Sequence, residues 1–382
     1  WPARFHRAVY QAHLWLGLVS GLLLLLMSLT GAVLVFVEEL EAALYPHLLR
    51  VEPGPERASF DEMHATVRAA YPEATLYGFR MLPEEPGHSY TVNMKLEGRY
   101  WFTYVNPYDG TLLGGHDADQ GNFTRALLNL HFRLLSGKPG EVLVFLLGLT
   151  LVGAVLTGTW VYRKSLLRVF RGPVRWRAGT RVVAGELHHK VGVAALLFNL
   201  IIAVSGAVML WPSVSGLLRG AGAASTPAPA VPGPAMPRLD ASLDAMVARA
   251  PSELPGFVLK GLVLPLAPGG PVALYGYVPG GNPLLGTYNT RVEFEPDTGA
   301  LRAVKDARAA PLLEKLRLMA GPIHFGHWGG LPIKLLYTLL GLSPGALSVT
   351  GFLMWWVKRR RKSPAAVPEG RASAPHVPAA AP

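Results

Sequence analysis

The sequence predicts a mixed fold: a membrane bundle of four transmembrane α-helices with an internal two-fold repeat, joined to two α+β domains outside the membrane. Three observations carry this prediction. Four long apolar runs lack charged side chains, a histidine pattern occurs twice at one spacing, and two long polar connections link the runs. With 50% hydrophobic residues and a mean hydropathy of +0.28, the 382-residue chain is too apolar for an ordinary soluble protein.

The four apolar runs predict the helices. They occupy residues 14–37, 142–162, 191–211 and 335–357, and each is close to the roughly 20 residues that cross a bilayer core. A cleaved signal peptide is the alternative for the first run, but this run exceeds the usual apolar stretch of such a peptide. Its duplicate in mid-chain also favours a retained helix.

Positive charge predicts how the helices are oriented. The net charge is +11, and basic residues cluster at 163–181 and 358–362, with Arg4 and Arg7 before the first run. Because short cytoplasmic loops are enriched in Lys and Arg, both termini and the central loop are expected inside the cell. The charge lies beside the membrane, so the expected partner is the lipid bilayer and no nucleic acid is expected.

These features divide the chain into nine segments. The first four are the cytoplasmic N-terminus with helix one (1–40), the first exterior domain (41–125), an amphipathic helix with helix two (126–162) and a basic cytoplasmic loop (163–187). The others are helix three (188–212), an Ala/Pro/Gly linker (213–237), the second exterior domain (238–310), an exterior helix with helix four (311–357) and a basic, disordered cytoplasmic tail (358–382).

The two exterior segments each read as a small α+β domain. Helical periodicity at 60–71 and 239–250 precedes strand-like runs. These runs lie around 90–94, 100–105, 259–264, 272–277 and 290–294. Both segments then share an apolar-x-Pro-x-x-Gly turn, which supports duplication of the domains as well as the helices.

A histidine stands at the mouth of each predicted helix, and the four form a repeat. His13, Gly17, Gly31, Ala32 and Val33 recur as His188, Gly192, Gly206, Ala207 and Val208. His131, Phe132, Gly137, Pro139, Gly148, Thr157 and Gly158 recur as His324, Phe325, Gly330, Pro332, Gly341, Thr350 and Gly351. Helix packing explains the small residues but not the histidines. The repeat therefore indicates paired imidazoles.

The predicted topology groups these histidines at two depths. His13 and His188 share the cytoplasmic level, whereas His131 and His324 share the exterior level. One imidazole from each side is what a bis-histidine b-type haem requires at its iron. The chain has no cysteine, which excludes iron-sulfur clusters, thiolate zinc and covalently attached c-type haem. The sequence thus predicts two non-covalent b-type haems and a path for electrons across the membrane.

Alternatives remain at this stage. The histidines could instead hold another metal or form a proton path. His189 and His327 are alternates to His188 and His324, although the repeat favours the latter two. Four basic residues near the two levels could pair with haem propionates or simply anchor the helices at the interface: Arg7, Lys190, Arg133 and Lys138. The repeated glycines are expected to allow close approach of helices or of a macrocycle.

No nucleotide-binding signature follows any predicted strand, so the chain itself offers no flavin or nicotinamide domain. The expected electron donor is a quinol or a separate cytoplasmic protein. The basic inner surface could dock such a protein, but membrane orientation explains it equally well.

At this point the sequence resembles the PepSY-associated transmembrane helix (PepSY-TM) family over nearly its whole length. The resemblance rests on His13-Leu-Trp-Leu-Gly17 with Thr30-Gly31, on Leu187-His188-His189-Lys190-Val191-Gly192 with Ser205-Gly206, on His131-Phe-Arg-Leu-Leu-Ser-Gly137 with Thr157-Gly158, and on the two exterior domains. It implies a bacterial inner-membrane protein with two periplasmic PepSY-like domains. Its characterised relatives look like ferric-siderophore reductases that carry b-type haem.

The expected function is therefore a dihaem reductase that passes electrons to a periplasmic ferric siderophore or other Fe(III) chelate. The main alternative is a non-enzymatic membrane sensor or inhibitor that binds periplasmic peptides or proteases. Histidine-mediated metal or proton transport is a third possibility. It predicts acidic residues within the helices, and the four runs contain none.

Overall fold

The computed structural model of the protein describes residues 3–80, 82–118, 121–220 and 239–360. Its helices are α1 (Ala3–Leu34), α2 (Val37–Leu44), α3 (Pro46–Leu49), α4 (Phe60–Ala70), α5 (Phe123–Arg133), α6 (Gly137–Tyr162), α7 (Thr180–Ala194), α8 (Leu196–Gly220), α9 (Leu243–Glu253), α10 (Leu312–Phe325), α11 (Gly330–Gly341) and α12 (Ser343–Arg360). Most of the predicted linker, from residue 221 on, and the tail beyond residue 360 lie outside the described residues.

Four helical spans of the described chain are long and apolar enough to cross a membrane. They are α1, α6, α8 and the consecutive pair α11–α12. In the bundle, α1 packs against α6 and α12, while α8 packs against α6 and α10. Helix α8 continues to Gly220 with Pro212 inside it, so residues 213–220 are helical rather than part of the predicted linker. The four predicted transmembrane helices are thus present as apolar helices.

The exterior segments form one antiparallel sheet rather than two separate sheets. Its strands are β1 (Thr75–Arg80), β2 (Tyr90–Leu96), β3 (Arg99–Val105), β4 (Leu112–Asp117), β5 (Val258–Val263), β6 (Val272–Tyr277), β7 (Thr290–Phe294) and β8 (Leu301–Lys305). The order is β4-β3-β2-β1-β5-β6-β7-β8, so the two segments meet where β1 pairs with β5. Gly78 lies at this junction with φ of +130°, and a side chain there would overlap the Leu262 carbonyl. Only glycine fits such a position.

Helices α4 and α9 cover the face of the sheet that points away from the bundle. Met63 and Val67 of α4 and Leu243 and Met246 of α9 are fully buried against the strands. Burial of each such side chain contributes roughly 1.5–3 kcal/mol to stability. The other face of the sheet looks toward the end of the helical bundle, which positions it over the site described below.

The first turns of α4 and α9 cap one another. The Asp244 carboxylate accepts from the backbone N–H groups of Phe60 (2.9 Å) and Asp61 (3.0 Å), and the Asp61 carboxylate accepts from the N–H of Leu243 (2.8 Å). Helix N-termini leave such donors unpaired and favour negative charge. The two exterior segments are therefore joined through their helices as well as through the sheet.

Candidate functional site

The four predicted histidines lie at two levels of the bundle. Gly31 follows His13 in α1 by eighteen residues, and Gly206 follows His188 at the same interval in α7–α8. At 1.5 Å per residue this interval spans about 27 Å, close to the thickness of a bilayer core. His13 and His188 occupy the level far from the sheet, and His131 and His324 occupy the level nearest the sheet, beside Gly31 and Gly206.

The two histidines of the far level face each other. The ring centres of His13 and His188 are 6.1 Å apart, and the ring planes are almost perpendicular at 83°. With a metal–imidazole bond of about 2.0 Å, and about 1.1 Å from nitrogen to ring centre, two imidazoles on opposite sides of one metal have centres about 6 Å apart. The separation therefore leaves room for a single metal atom between the two rings. His188 and its neighbour His189 have a similar ring separation of 6.3 Å, so the hydroxyl contacts described next distinguish the pair.

In each of the four imidazoles, Nδ1 forms a hydrogen bond with a hydroxyl on a neighbouring membrane helix. The Nδ1-to-hydroxyl distances are 3.2 Å for His13 to Thr157, 2.9 Å for His131 to Thr30, 3.0 Å for His188 to Thr350 and 3.1 Å for His324 to Ser205. The Nδ1 of His13 also lies 3.0 Å from the carbonyl oxygen of Ala154. The same contact thus occurs once per histidine, twice in each half of the chain.

The hydrogen-bond direction follows from what each hydroxyl does in its own helix. Thr30 donates to the carbonyl of Leu26 (2.8 Å), Thr157 donates to that of Gly153 (2.6 Å), and Thr350 and Ser205 donate to carbonyls in the same way. A hydroxyl whose proton is already engaged can only accept from the imidazole. Nδ1 therefore carries the proton in each ring, and Nε2 is left with a free lone pair, which is the form that binds a metal.

A glycine directly after each hydroxyl lets the imidazole approach. A Cβ placed on Gly31 would lie 2.9 Å from Cε1 of His131, and one on Gly158 would lie 2.9 Å from Cε1 of His13. The equivalent distance is 3.0 Å from Gly206 to His324 and 3.4 Å from Gly351 to His188. The repeated hydroxyl-glycine pairs thus form seats for the imidazoles, a role that sequence reasoning assigned only loosely to close packing. The available signal was their equal spacing: Gly31 and Gly206 lie eighteen residues after His13 and His188, and Gly158 and Gly351 lie twenty-seven residues after His131 and His324.

A cavity of about 2750 Å³ separates the near level from the sheet. His131 and His324 both line it, together with Tyr77, Tyr275 and Tyr277 from the sheet face. Drug-sized ligand pockets usually measure about 300–1,000 Å³. This cavity therefore has room for a macrocycle beside the histidines and for a second molecule against the sheet.

The alternate histidines occupy different surroundings. His189 stacks on Tyr162, with ring centres 4.1 Å apart and an angle of 24°. His327 lines the large cavity and lies near Glu38 and Lys334. Neither contacts a hydroxyl-glycine seat, whereas His188 and His324 both do. The hydroxyl contacts therefore favour His188 over His189 and His324 over His327 as the paired histidines.

Three of the four basic residues predicted near the two levels, Arg133, Lys138 and Lys190, have protein partners. Arg133 and Lys138 both bind the Glu141 carboxylate, at 2.9 and 3.0 Å, and Ser213 donates to the same carboxylate. Lys190 donates to the carbonyls of Val169 and Gly172 in the basic loop. Sequence reasoning missed Glu141, which directly precedes the uncharged run at 142–162 and is almost fully buried.

One charged residue of the cavity wall, Glu84, is neutralised in the same way. Hydrogen bonds from Lys260 and Tyr277 lower the pKa of Glu84, whose carboxylate lies 2.7 Å from the buried Lys260 ammonium. Burial raises the pKa of Tyr288, which keeps this cavity residue neutral. The wall thus presents tyrosine hydroxyls and at least one neutralised carboxylate to the cavity that the two histidines line.

Comparison with known proteins identifies the family to which the chain belongs. Residues 10–358 match the PepSY-associated TM region. An uncharacterized protein of Pseudomonas aeruginosa is 28% identical over 261 residues, which cover 62% of this chain and 64% of the relative. The match thus spans just under two thirds of that relative's length. Because the family match extends from the first membrane helix to the last, this chain is a membrane protein that belongs to the PepSY-associated TM region family.

Proposed function

We propose that the protein is a bacterial inner-membrane oxidoreductase that binds two b-type haems and moves electrons across the membrane to a periplasmic ferric siderophore or other Fe(III) chelate. His13 and His188 would hold the haem iron at the cytoplasmic level, and His131 and His324 would hold it at the periplasmic level. The observation that carries this proposal is the facing imidazole pair with ring centres 6.1 Å apart, each Nδ1 engaged and each Nε2 free.

The donor set favours haem over a bare metal ion. In the described part of the chain no group of three or more His, Cys, Asp or Glu residues could hold a metal. Protein metal sites ordinarily supply at least three ligands. Two imidazoles suffice only for a metal that brings further ligands of its own, as haem iron does. When bound, haem would supply one-electron oxidation and reduction, with a potential tuned by the histidines that hold it and by their hydrogen bonds.

The residues of the chain have defined tasks in this proposal. Thr157 and Thr350 hold the far imidazoles in one tautomer, and Thr30 and Ser205 do so at the near level. Such outer partners orient ligands and raise their basicity. At the far level Gly17 has no atom within 4 Å of an added Cβ, and it lies one turn from His13 on the same face. The face of α1 at Gly17 is therefore open, and a flat macrocycle would have room against it.

The large cavity supports the acceptor part of the proposal. It adjoins His131 and His324 and opens against the sheet, which we place on the periplasmic side. An Fe(III) chelate there would take up one electron, and the resulting Fe(II) binds hard oxygen ligands less tightly, which releases it. The electrons would come from a quinol or a cytoplasmic donor, with both termini and the basic loop in the cytoplasm.

The experiment is anaerobic oxidation of the reduced, purified protein by a ferric hydroxamate, followed by haem absorbance, with an Fe(II)-specific chromogenic chelator in the same cuvette. We expect one Fe(II) per electron lost. A His131→Ala/His324→Ala variant should lose this reaction, and a His47→Ala variant should keep it. A reduced protein that holds haem but is not oxidised by ferric chelates would contradict the substrate assignment.

A further inference from the structure

A second, smaller cavity lies on the outside of the bundle where α8 and α10 meet. It measures about 310 Å³ and is lined by Val208, Trp211, Pro212, Ser215, Arg219 and Arg317. We refer to it as the arginine notch. Two arginines from different helices line it together with Ser215 and Trp211, and no lining residue is acidic. Arg317 also lines the large cavity.

Three other cations at this end of the bundle are neutralised by carboxylates. Arg133 and Lys138 share Glu141, and Lys334 lies 2.7 Å from Glu39. In contrast, Arg219 donates only to the Ser215 hydroxyl (3.2 Å), and Arg317 has no carboxylate within 4 Å among the residues that the structure describes.

Position in the fold does not account for both arginines. Arg219 lies in the last turn of α8, where the helix dipole favours a cation. Arg317 lies in the middle of α10, where the helix dipole does not stabilise a cation. Two arginines that line one cavity without a carboxylate between them offer a site where an anion from outside the chain would be favourable.

The surroundings of the notch place it at the edge of the bilayer. Trp211 is half-exposed on a membrane helix, as is typical of residues at the level of lipid headgroups. At the start of α10, the side chains of Leu312, Leu313 and Leu316 are 74%, 81% and 55% exposed. An interfacial helix buries such leucines in the boundary between headgroups and acyl chains. The anion must therefore be attached to apolar chains.

We propose that the arginine notch binds the phosphate of an anionic phospholipid in the leaflet nearest the sheet. The guanidinium forks of Arg219 and Arg317 bind the phosphate oxygens, because this geometry suits bidentate recognition. The lipid would link α10 to α8. His324 follows Arg317 by seven residues on the same face of α10, so the lipid also fixes the helix that presents His324 to Ser205.

The test is native mass spectrometry of the detergent-purified full chain after incubation with phosphatidylglycerol or phosphatidylcholine. An Arg219→Gln/Arg317→Gln variant is compared with Lys315→Gln/Arg302→Gln, which removes the same two charges outside the notch. Each basic group near an anionic lipid contributes roughly a five-fold factor in binding. Because the notch variant lacks two such groups, we expect its phosphatidylglycerol retention to fall about 25-fold, whereas the wild type and the control should retain the lipid.

Two results would overturn the proposal. One is equal phosphatidylglycerol retention in all three proteins. The other is complete displacement of the lipid by millimolar inorganic phosphate, which would make the notch a site for free phosphate. A matched measurement of thermal unfolding separates lost binding from lost folding, since the notch variant should unfold like the wild type in phosphatidylcholine. No haem is needed for this experiment, so its outcome is independent of the proposed redox function.

Discussion

Alanine substitution of the four seat glycines is expected to damage the site while favouring the helix. Alanine is about 1 kcal/mol more favourable than glycine within a helix, so these variants should be stabilising if no imidazole lies nearby. At Gly31 and Gly158, however, the new methyl carbon would lie 2.9 Å from an imidazole Cε1. Ordinary contacts between carbon atoms are about 3.5–4.0 Å. Each imidazole must therefore retreat by at least half an ångström or so.

The four positions should respond in a graded series. Displacement of a well-packed group costs typically 1–3 kcal/mol, and loss of the hydroxyl contact behind a metal ligand lowers affinity about 10- to 100-fold. We expect at least about 10-fold weaker haem binding in Gly31→Ala, Gly158→Ala and Gly206→Ala. The effect should be much smaller in Gly351→Ala, where the separation is 3.4 Å. Gly216→Ala is the control, because no atom lies within 4 Å of a Cβ at that position.

The assay is haem titration of each purified apoprotein, followed by absorbance, with thermal unfolding of the apo form in parallel. Gly158→Ala should weaken one of two sites through His13, and Gly31→Ala should weaken the other through His131. The reasoning would be refuted if both variants bound two haems with wild-type affinity and unfolded at the same temperature as Gly216→Ala. The imidazoles would then not pack against these glycines.

Three further predictions concern the partners of the site. Thr30→Val should weaken haem binding at the near level about 10-fold and raise the midpoint potential of the haem at that level, as measured by spectroelectrochemistry. Thr150→Val, the control, loses a similar intrahelical hydrogen bond and should change neither quantity. Glu141→Gln should lower the free energy of unfolding by about 2–3 kcal/mol in denaturant titrations, because two cations lose one almost fully buried carboxylate. Glu84→Gln should lower the thermal midpoint at neutral pH by leaving Lys260 unpaired; since the folded pKa of Glu84 is lowered, this difference from wild type should shrink as pH falls through that pKa.

Strongly periodic parts of the fold could be predicted from the sequence. The helical periodicity at 60–71 and 239–250 corresponds to α4 (Phe60–Ala70) and α9 (Leu243–Glu253), and the strands expected at 272–277 and 290–294 agree with β6 and β7. Three strands were missed. β1 contains Gly78 and β4 contains Gly114 and Gly115, which have little strand propensity, so pairing in the sheet decides their conformation.

The junction of the sheet was beyond sequence reasoning. Each exterior segment reads as a complete α+β unit, and nothing local shows that β1 of one unit pairs with β5 of the other. This pairing joins residues more than 180 positions apart. Contacts of such separation are determined by packing of the whole chain and not by periodicity.

For the site, the repeat predicted which histidines share a level, because duplicated helices place equivalent residues at equivalent depths. It did not predict the hydroxyl contacts, which cross between helices in a pattern that spacing alone does not reveal. The burial of Glu141 was not predicted, because this residue lies one position before an uncharged run. Whether the imidazoles hold haem stays a prediction.

The most direct test of the central proposal is haem stoichiometry by pyridine haemochrome analysis, with dithionite-reduced minus oxidised spectra, on protein expressed with added haem. The wild type should hold two b-type haems per chain. The variants are His13→Ala/His188→Ala for one level, His131→Ala/His324→Ala for the other, and His189→Ala/His327→Ala as the control. Each of the first two should retain one haem and the control should retain two. A folded wild type without haem would contradict the proposal and favour a peptide-binding role for the sheet.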